Sequence, residues 1–120
     1  YAFGLGVGDP LRVEWAGVVA AVVADCRAGV PAAVISGRFH RGVAAMIAAV
    51  CDRLRGRGAG RVVGLTGGVF QNALLTRLTV AALGRGGCDV LLHQRVPCND
   101  GGLALGQAVL GRGLVRASRP

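Results

Sequence analysis

The hydrophobic positions of this chain change rhythm near its middle. Through the first half they follow helical spacing. Leu11 to Arg27 reads as a helix, with Pro10 before it and Gly29 after it. Its stretch from Val18 to Ala24 is apolar on nearly every face, which predicts burial on several sides. The preceding Gly4 to Pro10 reads as a loop. A second helix is predicted from about Gly37 to Arg55, with Phe39, Val43, Ile47, Val50, Cys51 and Leu54 as its apolar stripe. Arg41, Asp52 and Arg53 fall toward the other side, and Gly56, Gly58 and Gly60 end it.

The second half alternates strand and helix. Arg61 to Thr66 is a short apolar run without helical period, the mark of a buried strand. Gly67 to Gln71 is a turn, and Asn72 to Leu83 is a helix with Leu74, Leu75, Leu78 and Ala82 inward. Cys88 to His93 is a second strand, Gln94 to Asp100 a loop, Gly101 to Leu110 the last helix, and residues 111–120 a tail. Strand, helix, strand, helix in this order implies a right-handed crossover and two parallel strands. Two strands are few for a sheet buried on both faces, so sheet partners are expected from elsewhere. The fold class is therefore α/β, with parallel strands and flanking helices preceded by two helices, in one partial domain covering residues 1–120. The start at Tyr1 rather than Met, followed by a loop, suits a piece of something longer.

Composition adjusts this picture. The chain is 52% hydrophobic but only 4% aromatic, so small aliphatic side chains must fill its core. Such a core buries modest area, at roughly 25 cal/mol per Å2, and would be marginal without a neighbour. No leader pattern opens the chain. The longest apolar run, Trp15 to Ala24, is short of the roughly 20 residues of a bilayer span. A soluble cytoplasmic protein with no membrane partner is expected. Cys26, Cys51, Cys88 and Cys98 form no C-x-x-C pair, which argues against a zinc knuckle. The first three sit in apolar segments and read as buried thiols. The net charge is +8, and every basic residue is Arg. Without Lys, neither a Walker A lysine nor a Schiff-base lysine is present. A basic nucleic-acid-binding module would interleave clustered Arg with stacking aromatics. Here only Arg53, Arg55, Arg57 and Arg61 cluster, beside a glycine-rich turn and away from Trp15, Tyr1 and the three Phe. Solvated arginines are the plainer reading.

The candidate chemistry lies in two loops at the carboxyl ends of the strands, where α/β folds bind ligands. They should be neighbours in space. In Thr66-Gly67-Gly68-Val69-Phe70-Gln71-Asn72, the glycines allow a sharp turn and a close ligand, and the next helix start suits a phosphate or ribose. The plain alternative is a turn with Asn72 as helix cap. In Val96-Pro97-Cys98-Asn99-Asp100-Gly101-Gly102, Asp100 offers a carboxylate for a metal ion, or caps the last helix. Taken singly, each loop favours the structural alternative.

Together they do not. "LTGGVFQNALL" followed by "VPCNDGGLALGQAV", with "GRFHRGVAAMI" upstream, closely resembles the end of HypF-type hydrogenase-maturation carbamoyltransferases over roughly residues 36 to 110. The resemblance implies the C-terminal part of an actin-like ATPase lobe. It implies that Gly67, Gly68 and Asn72 meet ATP or carbamoyl-adenylate, and that Asp100 is one ligand of a divalent metal ion. It leaves the catalytic residues unassigned. The family's other metal ligands, a His pair, would come from outside this chain; His40 and His93 lack that spacing and read as a partly buried structural His and a polar strand end. The implied acceptor is a cysteine on a HypE-type partner, and the remainder of the parent chain is the other expected partner. An O-carbamoyltransferase acting on a hydroxylated metabolite uses a related lobe and stays as an alternative. Thr66 stands where the family usually has Ser, and Cys98 where it has a second Pro.

Overall fold

The computed structural model describes the backbone of residues 1–117 and the side chains through Leu114. Two short strands, β1 (Gly4–Leu5) and β2 (Val13–Glu14), form an antiparallel hairpin. Helices α1 (Ala16–Arg27) and α2 (Ala32–Arg55) follow. Then come β3 (Val62–Leu65), a 3-10 turn (Gly68–Gln71), α3 (Ala73–Arg85), β4 (Asp89–Leu92), a second 3-10 turn (Asp100–Gly102) and α4 (Leu103–Ala117). Strands β3 and β4 pair in parallel, with Val62 opposite Asp89 and Leu65 opposite Leu92, as the strand–helix–strand order implies.

Several boundaries differ from the sequence expectation. The first helix does not begin at Leu11, because Val13–Glu14 pairs with Gly4–Leu5 and the Gly6 amide bonds the Arg12 carbonyl at 2.9 Å. That pairing turns the expected leading loop into a hairpin. The second helix begins at Ala32 rather than Gly37, with Pro31 as its extended N-cap (φ −56°, ψ 136°). Ser36 and Gly37 are carried inside it, since a helix tolerates a glycine at about 1 kcal/mol. The last helix starts after the 3-10 turn and runs past Gly111 and Gly113 to Ala117, so most of the expected tail is helical. Residues 118–120 of that tail lie outside the described residues.

The core is small. Val18, Ala44, Leu65, Leu75 and Leu83 are its buried apolar residues, joined by Thr79 at full burial. On α3 the inward line is Leu75, Thr79 and Leu83, four residues apart, while Leu74 is exposed. On α2 the buried positions are Gly42 and Ala44, and the larger Phe39 and Leu54 are exposed. A Cβ on Gly42 would stand 2.5 Å from the Tyr1 carbonyl oxygen, so this glycine admits the N-terminal segment against α2. Helix α1 buries only Val18, and Val19 and Val23 remain exposed beside an apolar groove of about 430 Å3 shared with α2. The several-sided burial expected of α1 is not met within this chain, and Cys26 is exposed rather than buried. Among the described residues α2 is the one helix long and apolar enough, by length and composition, to cross a bilayer. Here it packs along α3 and, more lightly, along α1.

The Tyr1 hydroxyl and Arg38 both donate to Asp25, the latter at 2.6 Å, tying the N-terminus, α1 and α2 together. The clustered arginines serve a similar purpose. Arg53 and Arg57 donate to the carbonyls of Gly6 and Gly8, Arg55 donates to Gly86, and Arg61 pairs with Asp89.

Candidate nucleotide-binding site

Both carboxyl-terminal strand ends open on the same side, as parallel pairing requires. The loops that follow them are directly bonded: the Gly67 amide donates to the Cys98 carbonyl at 2.6 Å. The neighbouring strand ends are bridged as well, with His93 Nε2 3.0 Å from Thr66 Oγ1. Beneath the loops lies a cavity of about 260 Å3, lined by Leu65, Phe70, Thr76, His93, Pro97 and Cys98 among others. The two motifs therefore form one place.

Gly67 sits at φ 100°, ψ 155°, a conformation that is almost exclusively glycine's. Its amide is spent on Cys98 and its carbonyl accepts from the Phe70 amide. Gly67 is thus the hinge that joins the loops. Gly68 is exposed, opens the 3-10 turn, and lies beside Asn99, whose Cβ is 3.9 Å from where a Gly68 Cβ would stand. Its backbone is the surface that the turn presents outward.

Asn72 is the N-cap of α3, its Oδ1 accepting from the Leu75 amide at 3.0 Å. It is also exposed and donates from Nδ2 to His40 Nε2 at 2.9 Å. The structural role weighed from the sequence is real, and it leaves one amide N–H and one oxygen lone pair for a ligand.

At Asp100 the outcome is the reverse. The cap of the second turn is Asn99, whose Oδ1 accepts from the Gly101 amide at 3.0 Å. Asp100 follows it, exposed, and its carboxylate has no hydrogen-bond or ion-pair partner among the described residues. An outward hard-oxygen donor of this kind fits one ligand position on a divalent cation. Among the described residues no three His, Cys, Asp or Glu side chains converge on one point. Pro97 stiffens this loop, and Gly102 fits because a Cβ there would stand 3.0 Å from the Pro97 carbonyl oxygen.

His40, half-buried, was readable only as a structural histidine. Its bond to Asn72 depends on how α2 packs on α3, which no local spacing encodes.

The family model described as "Carbamoyltransferase, Kae1-like Domain, second subdomain" matches residues 2–107. The carbamoyltransferase HypF of Rhodobacter capsulatus is 42% identical over 76 residues, which is 63% of this chain and 10% of that protein. A HypF homologue of Cupriavidus necator is 41% identical over 71 residues, 58% of this chain and 18% of its own length. The crystal structure of full-length HypF in its phosphate- and nucleotide-bound form superposes with a TM-score of 0.89 at 30% identity, covering 98% of this chain and 16% of that one. The chain thus spans between about a tenth and a fifth of the length of these three relatives. Matched in sequence over nearly its whole length and in fold to a solved relative, the chain belongs to the HypF carbamoyltransferase family, as the second subdomain of its Kae1-like domain.

Proposed function

We propose that this chain forms one wall of the nucleotide pocket of a cytoplasmic HypF-type carbamoyltransferase, in a lobe of the actin-like ATPase kind. The observation that carries this reading is the junction of the two loops. The Gly67–Cys98 bond holds the exposed Gly68 turn against the loop that carries Asp100, whose carboxylate has no partner among the described residues. Gly68 would lie against the ribose or phosphate of the nucleotide, and the remaining Asn72 valences would bond it. Asp100 would be one ligand of a divalent metal ion. When bound, that ion would neutralise charge on the phosphate oxygens.

In this reading water cleaves carbamoyl phosphate to carbamate and phosphate, the carbamate oxygen bonds the α-phosphorus of ATP, pyrophosphate leaves, and the lobe holds the resulting carbamoyl-adenylate. A cysteine thiolate on a HypE-type partner attacks the carbamoyl carbon. The S–C bond forms, the C–O bond to the adenylate phosphate breaks, and AMP leaves with the electron pair. Gly68 and Asn72 hold the adenylate in place for that attack. The product serves cyanide-ligand synthesis in hydrogenase maturation. The rest of the site, including further metal ligands, would come from the remainder of a longer polypeptide.

The test replaces the aligned segment of the Rhodobacter capsulatus relative with this chain and follows carbamoyl transfer to the partner cysteine. Asp100→Asn is expected to slow transfer at least about tenfold, as loss of a metal ligand does. Unchanged transfer would remove Asp100 from the site.

A further inference from the structure

The geometry points to His40 as a positioning residue that fixes the Asn72 amide for ligand binding, a role that rests on the nucleotide reading above. Four groups form one hydrogen-bonded chain between α2 and α3. His40 Nδ1 lies 2.7 Å from the Ser36 carbonyl oxygen, which can only accept, so Nδ1 carries the proton. Nε2 is then a lone pair. It faces Asn72 at 2.9 Å, and only the amide nitrogen of Asn72 can donate to it. Asn72 Oδ1 is thereby turned to the Leu75 amide, 3.0 Å away. The protein's own bonds thus decide both the ring tautomer and the amide orientation. The opposite tautomer would set two donors against each other across the His40–Asn72 gap. A flipped amide would set Nδ2 against the Leu75 N–H and forfeit the cap.

For binding, the consequence is that Asn72 always presents the same pair of unused valences, one N–H and one oxygen lone pair, at the start of α3. An amide free to flip would spend part of its time with donor and acceptor exchanged. The Phe39 ring packs edge-on to the His40 ring, with centroids 6.4 Å apart, and helps hold it.

The experiment uses the same chimeric enzyme, with ATP and Mg2+ as the probe, and three variants. His40→Phe keeps a ring but removes the acceptor. It is expected to weaken nucleotide binding about five- to tenfold, the effect of one orienting hydrogen bond. His40→Gln places an amide oxygen near the Nε2 position and is expected to restore affinity to within about twofold. Asn72→Ala is expected to weaken binding at least as much as His40→Phe. Imidazole 15N shifts of His40 in the 120-residue chain should show Nδ1 protonated and Nε2 as a lone pair. An Nε2–H tautomer, or His40→Phe binding as tightly as the parent while Asn72→Ala binds weakly, would overturn the inference and leave the nucleotide reading standing. Unchanged binding in Asn72→Ala would instead sink the assignment of Asn72 to the nucleotide, and the role of His40 with it.

Discussion

Gly67 and Gly68 are adjacent and chemically identical, yet the structure gives them opposite sensitivities to alanine. At Gly67 a Cβ would meet no atom within 4 Å, so crowding is not the issue. The backbone is: φ 100° with ψ 155° is strained for any L side chain, at a cost of about 1–3 kcal/mol. Gly68 has no such dihedral, and its added Cβ would meet Asn99 Cβ at 3.9 Å, an ordinary contact. There Gly→Ala also restricts the unfolded chain, worth about 0.4–1 kcal/mol in favour of folding. Gly67→Ala should therefore lower the urea midpoint of the 120-residue chain by about 1 M for a slope near 2 kcal/mol per M, while Gly68→Ala leaves it level or slightly raised. Nucleotide affinity of the chimeric enzyme should respond differently. Gly68→Ala puts a methyl group on the face assigned to the ligand, so binding should fall although stability does not. Equal destabilisation by the two substitutions would refute the reasoning about Gly67. Normal nucleotide binding by Gly68→Ala would refute the placement of the ligand.

Thr79 is fully buried and its hydroxyl has no partner among the described residues, so Thr79→Val should stabilise the chain by about 1 kcal/mol in urea denaturation, and a loss of that size would mean that the hydroxyl is bonded. Leu83 is 1% exposed, and Leu83→Ala should cost about 2–5 kcal/mol in the same measurement. The Tyr1 hydroxyl and then Arg38 hold the Asp25 carboxyl below its ordinary 3.8, so this contact supports folding above that pH and loses its support as pH falls below it. Burial and then Asp25 raise the Tyr1 phenol above 10.0, so its support is complete below pH 10 and fades as pH rises past it. Midpoints measured across both limits should show a plateau between them, and Asp25→Asn should flatten the acid limb; an acid limb unchanged in that variant would place its origin elsewhere.

The second half of the fold was legible because its signals are local. Apolar runs of strand length, glycines after them and an asparagine at a helix start specify β3, β4 and the Asn72 cap without reference to the rest of the chain. The hairpin was not legible: two-residue strands carry no period, and only pairing across the Gly6–Arg12 turn makes them strands. The same limit applies to α3, where spacing marks an apolar face but only packing on α2 selects Leu75, Thr79 and Leu83 as its buried line. At the site, residue types alone gave Asn72 and Asp100 equal claims to be caps. The distinction between them comes from Asn99, which takes the cap at the second loop and leaves the Asp100 carboxylate outward. His40 was legible as a partly buried structural histidine, but its bond to Asn72 was not, since that partner lies 32 residues away at the start of another helix.

The central claim is that this chain holds one wall of a nucleotide site and not the whole of it. Calorimetric titration of the 120-residue chain with ATP and a divalent metal ion tests this directly, with the chimeric enzyme as its counterpart. The account predicts weak or absent binding by the chain alone and metal-dependent binding by the chimera that Asp100→Asn impairs. Tight, metal-dependent binding of ATP by the isolated chain would contradict it.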